Sequence, residues 1–234
     1  MAFHYNPRIV TDGLTFCLDG ANIKSYPGSG TTVFDLTTNG NDTPISNGPT
    51  FNNGYWTFNG TTQYMSVPNE DGITNFTEND NYTVSFWFNP ASTQNDTGNN
   101  DNDVVEKWNG GAGYPFVFRY YRSNETIQAA VWDGSSGEGI SLSISSDTWW
   151  NITGVFNWSN SQLKLYTNGG YHNTNSRSLS KTGISNNHPI SIMRRGNNYN
   201  YTTGSFASLM VYNRALSDAE VKQNFNATRK RFGL

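Results

Sequence analysis

Two short loops carry the residues best suited to recognition chemistry: Trp108-Asn-Gly-Gly-Ala-Gly-Tyr114 and Trp132-Asp-Gly134. A sugar ring offers an apolar face of C–H groups and an edge of hydroxyls. Aromatic platforms meet the face, and amide or carboxylate groups meet the edge. Trp108, Tyr114, Trp132 and Asp133 supply both kinds and form the candidate glycan site. A plainer reading also fits, in which Trp132 ends a strand and covers the core while Trp108 anchors a protein contact.

Asp101 and Asp103, with Asp96, Asn99 and Asn100 nearby, offer hard oxygens of the kind that hold calcium. The stretch lacks a terminal bidentate Glu and equally fits a solvated loop, where Asn and Asp accommodate tight turns. Glycoside hydrolysis requires two carboxylates a strand pleat apart, typically as Glu-x-Asp-x-x-Glu on one strand. None of Glu70, Glu78, Glu106, Glu125, Glu138 and Glu220 is read as part of such a cluster, so no enzymatic activity is expected. His4, His172 and His188 are far apart, without acidic or Cys partners at ligand spacing, which argues against zinc. Neither a Gly-x-Ser-x-Gly elbow nor a phosphate loop occurs. Arg229, Lys230 and Arg231 complement the dipole at a helix C-terminus, with docking on an acidic partner as the alternative. Arg194-Arg195, on a Gly/Asn-rich stretch, has the same two readings. The single cysteine, Cys17, alternates with apolar neighbours and reads as a buried small hydrophobe.

These residues need elements to position them, and the chain is written in period two. Tyr82, Val84, Phe86 and Phe88 share one face, with Thr83, Ser85 and Trp87 opposite. Phe116, Phe118 and Tyr120 alternate with Val117, Arg119 and Tyr121, and Ile127, Ala129 and Val131 with Gln128, Ala130 and Trp132. Trp150, Ile152, Gly154 and Phe156 form another face; Phe206, Ser208, Met210 and Tyr212 are expected to face away from Ala207, Leu209 and Val211. About a dozen strands result, separated by Asn-Gly, Asp-Gly and Gly-Gly turns. Gln94–Asp103 reads as a polar loop between two of them. One helix stands out over residues 217–230. Ser217 and Glu220 make a capping box, Leu216 and Val221 a staple, and Val221, Phe225 and Phe232 share a face.

Composition narrows the function classes. A net charge of −3 gives no basic field for nucleic acid, and only 14% of residues are charged. Aromatics at 15% are too abundant for a disordered chain. No secretory signal is read after Met1, and no apolar run approaches the ~18 residues of a membrane span. The 234 residues suit one domain of all-β sandwich type, with residues 1–12 as an N-terminal arm.

Several segments resemble the laminin-G-like jelly-roll domains of the concanavalin A-like lectin/glucanase superfamily. They include Gly13–Thr32, Phe34-Asp-Leu36, Asn39-Gly-Asn-Asp42, Asn47–Phe51 and the Tyr55–Pro68 segment with Phe58-Asn-Gly60. Tyr82–Phe88, Trp149–Phe156, Leu165-Tyr-Thr-Asn-Gly169 and Tyr212–Val221 complete the likeness. Ser25-Tyr-Pro-Gly-Ser-Gly30 is similar to the form found in virion proteins of tailed bacteriophages. The resemblance implies a two-sheet antiparallel jelly-roll sandwich with a short C-terminal helix, and a binding or structural module. The leading expectation is a non-enzymatic structural protein of a phage virion, decorating the head or associated with the tail. Its partners would be copies of itself and other virion proteins, with no nucleic acid and no membrane insertion. The alternative is a carbohydrate-binding adhesion module for cell-surface glycans. No cofactor is required in either case; calcium is the ion the residues admit.

Overall fold

The computed structural model describes residues 7–94, 101–108, 110–170 and 176–234. Among these, sixteen strands form two eight-stranded antiparallel sheets packed face to face. The first runs in the order Ser176–Ser178, Gln162–Thr167, Trp150–Asn157, Tyr82–Pro90, Thr203–Tyr212, Trp56–Asn59 and Thr50–Phe51, with Leu14–Asp19 also paired to Thr203–Tyr212. The second runs Gly137–Ser143, Thr126–Asp133, Gly113–Tyr121, Asp101–Glu106, Ile190–Ile192, Tyr64–Val67, Thr43–Ser46 and Thr32–Val33. This is the expected jelly-roll sandwich, with more and shorter strands than the alternation alone marks out.

Period two puts every second side chain into the space between the sheets. Tyr82, Val84, Phe86 and Phe88 enter it from the first sheet, and Phe116, Phe118, Ile127, Ala129 and Val131 from the second. Aromatic edges lock the two layers: Phe86 meets Phe118 edge-on at 5.1 Å, and Tyr82 donates its hydroxyl to the Pro115 carbonyl at 2.6 Å. Gly154 keeps the layers close, because a Cβ there would lie 2.6 Å from Cζ of Phe118.

The ladders carry four register shifts, and two of them bear most on which residues face the core. In Thr203–Tyr212, Phe206 pairs with Phe88 and Ser208 with Trp87, leaving Ala207 as the extra residue. Beyond the bulge the faces exchange, so Phe206, Leu209 and Val211 enter the main core while Met210 and Tyr212 turn outward. The unbroken alternation expected for this strand is corrected accordingly. Ala207 is also where the strand changes neighbour: Thr203–Phe206 pairs with Trp56–Asn59, and Ser208–Tyr212 with Leu14–Asp19. The second bulge lies in Gly113–Tyr121, where Pro115 and Phe116 stand opposite Val131 alone. Proline has no N–H to give the ladder, so it suits a bulge.

The helix, Asp218–Thr228, covers the outer side of the first sheet and continues as a 3-10 turn, Arg229–Phe232. The helix is therefore two residues shorter than expected at its C-terminal end. Its capping box is present, with Ser217 accepting from the Glu220 N–H and Glu220 accepting from the Ser217 N–H. Val221 and Phe225 are buried, and Phe232 stacks on Trp87 at 4.0 Å. Trp87 Nε1 donates to Thr228 Oγ1, and Asn224 joins the Tyr212 hydroxyl to the backbone of Val10. The helix thus seals the sheet and ties down the N-terminal arm.

Two outcomes follow from this packing. Gly154→Val overpacks the layer against Phe118 and lowers unfolding free energy by about 1–3 kcal/mol; an unchanged urea midpoint would refute the tight inter-sheet contact. Glu220 accepts two N–H groups of Arg214, at 2.6 and 3.0 Å, and these bonds first, then the Ser217 bonds, bring its carboxyl down to about 2. A carboxyl lowered in the fold stabilises above its unfolded value and loses that contribution as pH falls. Glu220→Gln therefore costs about 0.5–1 kcal/mol at neutral pH, with the difference from the parent closing between pH 4.5 and about 2 in denaturation curves.

Candidate functional site

The bulge at Pro115–Phe116 has a consequence for chemistry. It turns Tyr114 out of the core and onto the outer face of the second sheet, beside Trp132. The two rings stack at 6.2 Å with planes 16° apart. Val117 and Ala130 lie beneath them, and Trp108 packs on the same patch. Gly110 and Gly111, both with positive φ, carry the chain past Trp108, and a Cβ on Gly110 would sit 3.5 Å from that indole. Between these walls lies an open groove of about 390 Å³, with Asp101, Arg119 and Arg195 along its floor.

The floor is an ion-pair lattice. Asp103 is fully buried and holds two guanidinium groups, Arg119 Nε at 2.6 Å and Arg195 Nε at 2.9 Å. Asp101 accepts from Arg195 Nη2 at 2.7 Å and from Asn200 Nδ2 at 2.7 Å. Each arginine also faces an aromatic wall, Arg119 over Tyr114 at 5.8 Å and Arg195 over Trp108 at 5.7 Å. Burial works against the charge on Arg119, but Asp103, then Tyr114 and Glu106, outweigh it and raise its pKa. The segment after Ile190–Ile192 is laid over the strand by the same groups. Gly196 N–H donates to Glu106 Oε1 at 2.7 Å, Asp103 N–H to the Asn200 carbonyl, and Thr202 Oγ1 to the Asp103 carbonyl. Positive φ at Met193, Asn198 and Asn200 allows the segment to fold back this way.

Asp101, Asp103 and Glu106 occur at the spacing Asp-x-Asp-x-x-Glu on one strand. A search for clustered glutamates passes over this variant, so the expectation that Glu106 stands apart from other carboxylates is corrected. Glu106 is fully buried, and burial first, then the charge of Asp103, raises its pKa well above the usual range. Both aspartates are already engaged by arginine.

The structure brings Trp108, Tyr114 and Trp132 together and leaves Asp133 out. Asp133 Oδ1 accepts from Ser135 and Ser136 within its own turn, and Oδ2 lies 3.2 Å from Lys181 Nζ. Those turn bonds hold its carboxyl well below the usual value. Asp101 and Asp103 lie on a strand rather than in the expected loop, and both are ion-paired with arginine. Asp96, Asn99 and Asn100, named with them, fall outside the described residues, as do His4 and His172. Among the described residues, no group of three His, Cys, Asp or Glu is arranged to hold a metal.

The C-terminal cations have partners of their own. Arg231 Nη1 reaches both oxygens of Asp19, at 2.7 and 2.8 Å, and Arg229 lies over the Phe225 ring. Lys230 is exposed. Arg194 stacks on Tyr64 with its guanidinium carbon 3.3 Å from the ring centre. Cys17 is buried, as expected, and burial pushes its thiol up to about 12. The Ser25–Gly30 motif serves packing: Tyr26 meets Trp56 edge-on at 5.2 Å and donates to the Gly30 carbonyl.

Lys107, next to Trp108, is fully buried and donates to Asn69 Oδ1 and to the carbonyls of Asn186 and His188. Burial lowers its pKa to about 7; three acceptors around one nitrogen favour the ammonium. This anchor fixes the backbone from which Trp108 projects. Larger hollows of about 600 and 560 Å³ lie beside the helix, and no described aromatic residue lines either. A cleft bounded by Tyr55, Trp149 and Phe232 is aromatic but holds only about 100 Å³.

Comparison with known proteins bears on the fold. The chain resembles the binding domain of Paraclostridial Mosquitocidal Protein 1 at 21% identity and a TM-score of 0.67, covering 92% of this chain and 52% of that one. It resembles the ligand binding domain of botulinum neurotoxin serotype D in complex with N-acetylneuraminic acid at 12% identity and a TM-score of 0.72, covering 93% and 51%. Trypanosoma rangeli sialidase in complex with sialic acid is similar at 12% identity and a TM-score of 0.69, covering 97% and 36%. The chain thus spans about half the length of the two toxin domains, and at these identities the likeness is one of fold. No curated protein matches the sequence. The Laminin_G_3 family matches residues 59–222, from the Asn59-Gly60 turn to the first turn of the helix. The chain belongs to this family of the concanavalin A-like lectin/glucanases superfamily.

Proposed function

We propose that this chain is a non-catalytic carbohydrate-binding module that takes a glycan in the groove of Trp108, Tyr114 and Trp132. The observation that carries the reading is the convergence of these three aromatics, from separate segments, over a floor of fixed polar groups. Aromatic walls suit the C–H faces of a pyranose, and Asp101, Arg119 and Arg195 offer acceptors and donors to its hydroxyls. The absence of turnover rests on the same floor. A glycosidase needs one carboxylic acid within reach of the leaving oxygen and one free carboxylate. Here Glu106 is sealed beneath Gly196, and Asp101 and Asp103 are ion-paired.

Fold neighbours crystallised with sialic acid or N-acetylneuraminic acid support sugar binding over the virion reading, which drew on the Ser25–Gly30 motif, the lack of a read signal peptide or catalytic carboxylate pair, and a charge-poor surface. Display of this module on a phage particle, beside copies of itself and other virion proteins, is a companion proposal. Mass spectrometry of purified particles tests it, and absence of the chain from them would end it.

A glycan array probed with the chain should give specific hits. Trp108→Ala and Trp132→Ala should each weaken the strongest hit at least tenfold, about 1.4 kcal/mol, with the fold intact by circular dichroism. Trp149→Ala, in the separate aromatic cluster with Tyr55 and Phe232, should leave it unchanged. No reducing ends should appear on prolonged incubation with the bound glycan. Binding that survives both groove substitutions would refute the site, and turnover would refute the module's non-catalytic character.

A further inference from the structure

We infer that the groove selects neutral sugars and rejects acidic ones, sialic acid and uronic acids included. The inference rests on the glycan-binding reading and concerns the charge of the ligand. Its basis is the closure of the lattice. Among the described residues on the floor, two carboxylates face two guanidinium groups; three contacts between them lie at 2.6 to 2.9 Å and a fourth, Arg119 to Asp101, at 3.8 Å. Arg119 and Arg195 each donate Nε to the same fully buried carboxylate, Asp103. Arg195 then gives Nη2 to Asp101, whose other oxygen takes Asn200.

Each guanidinium charge is already matched by an aspartate, so an acidic sugar gains little net attraction from either arginine, and one that displaced Asp103 or Asp101 from its arginine would break an ion pair. The carboxylate left behind would be buried without its counter-ion, which is costly in a low-dielectric setting. The sugar's own carboxylate would also stand close to Asp101, one of the groove's lining residues. A neutral pyranose meets no such obstacle. Its hydroxyls can donate to Asp101 and accept from guanidinium N–H groups while every ion pair stays closed, and its ring lies against apolar walls. Selection then comes from a penalty on the wrong ligand as much as from contacts with the right one.

The test uses an array of neutral glycans, each printed beside its sialylated or uronic acid counterpart, followed by calorimetry on the best matched pair. The neutral member should bind at least tenfold more tightly than the acidic one at low ionic strength. Asp101→Asn removes one negative charge and keeps an acceptor, so it should narrow or reverse that ratio, with folding checked by thermal melting. Asp133→Asn changes a carboxylate committed to its own turn, and it should leave the ratio as it is. An acidic member that binds as tightly as its neutral counterpart, or a ratio untouched by Asp101→Asn, overturns the inference while the glycan-binding reading stands. An array with no hit of either kind overturns both.

Discussion

Asp103 is a fully buried carboxylate gripped by two arginines that come from different parts of the chain. Arg119 rises from the neighbouring strand, and Arg195 comes from the segment after the next strand over. A buried charge with this geometry tolerates little change, since removing one partner of such a pair costs about 3–5 kcal/mol. The lattice therefore fixes three things at once: the outer face of the second sheet, the path of the segment carrying Gly196, and the polar floor below the aromatic groove. Glu106, buried under Gly196, belongs to the same unit.

The groove also depends on irregularities in regular structure. Without the extra residue at Pro115–Phe116, Tyr114 would point into the sandwich with Phe116 and Phe118. The bulge places it against Trp132, while the Lys107 anchor and Gly110–Gly111 bring Trp108 to the same patch. A scaffold of paired strands thus supplies rigidity, and its few departures supply the site. The helix serves the other sheet and touches none of this, so the fold separates closure from recognition.

Much of the scaffold is legible in the chain because burial imposes period two. Tyr82–Phe88, Ile127–Val131 and the capping box at Ser217 all behave as their patterns predict. The pattern fails where a single extra residue exchanges the two faces, as at Ala207, because alternation carries no mark of a bulge. Pro115 is a readable exception, since proline inside a strand pattern argues for one. The aromatic members of the site were visible as loop tryptophans and a tyrosine. Arg119 was not, and Arg195 stood out only as a docking candidate, because their meeting with Asp103 joins positions 16 and 92 residues away through the folded sheet. Asp101 and Asp103 looked like loop ligands because Asn and Asp crowd the residues before them. Asp133 looked available because its turn bonds arise only once the hairpin closes.

The proposed site is one groove on the second sheet that takes a sugar against three aromatic rings above an ion-paired floor. A crystal structure of the chain with the strongest neutral hit from the array tests this most directly. A pyranose ring should lie against Trp108 or Trp132, its hydroxyls on Asp101 and Arg119 or Arg195, with Asp103 still paired to both arginines. A sugar seated elsewhere, for example in the cleft of Tyr55 and Trp149, or a floor opened by the ligand, would contradict it.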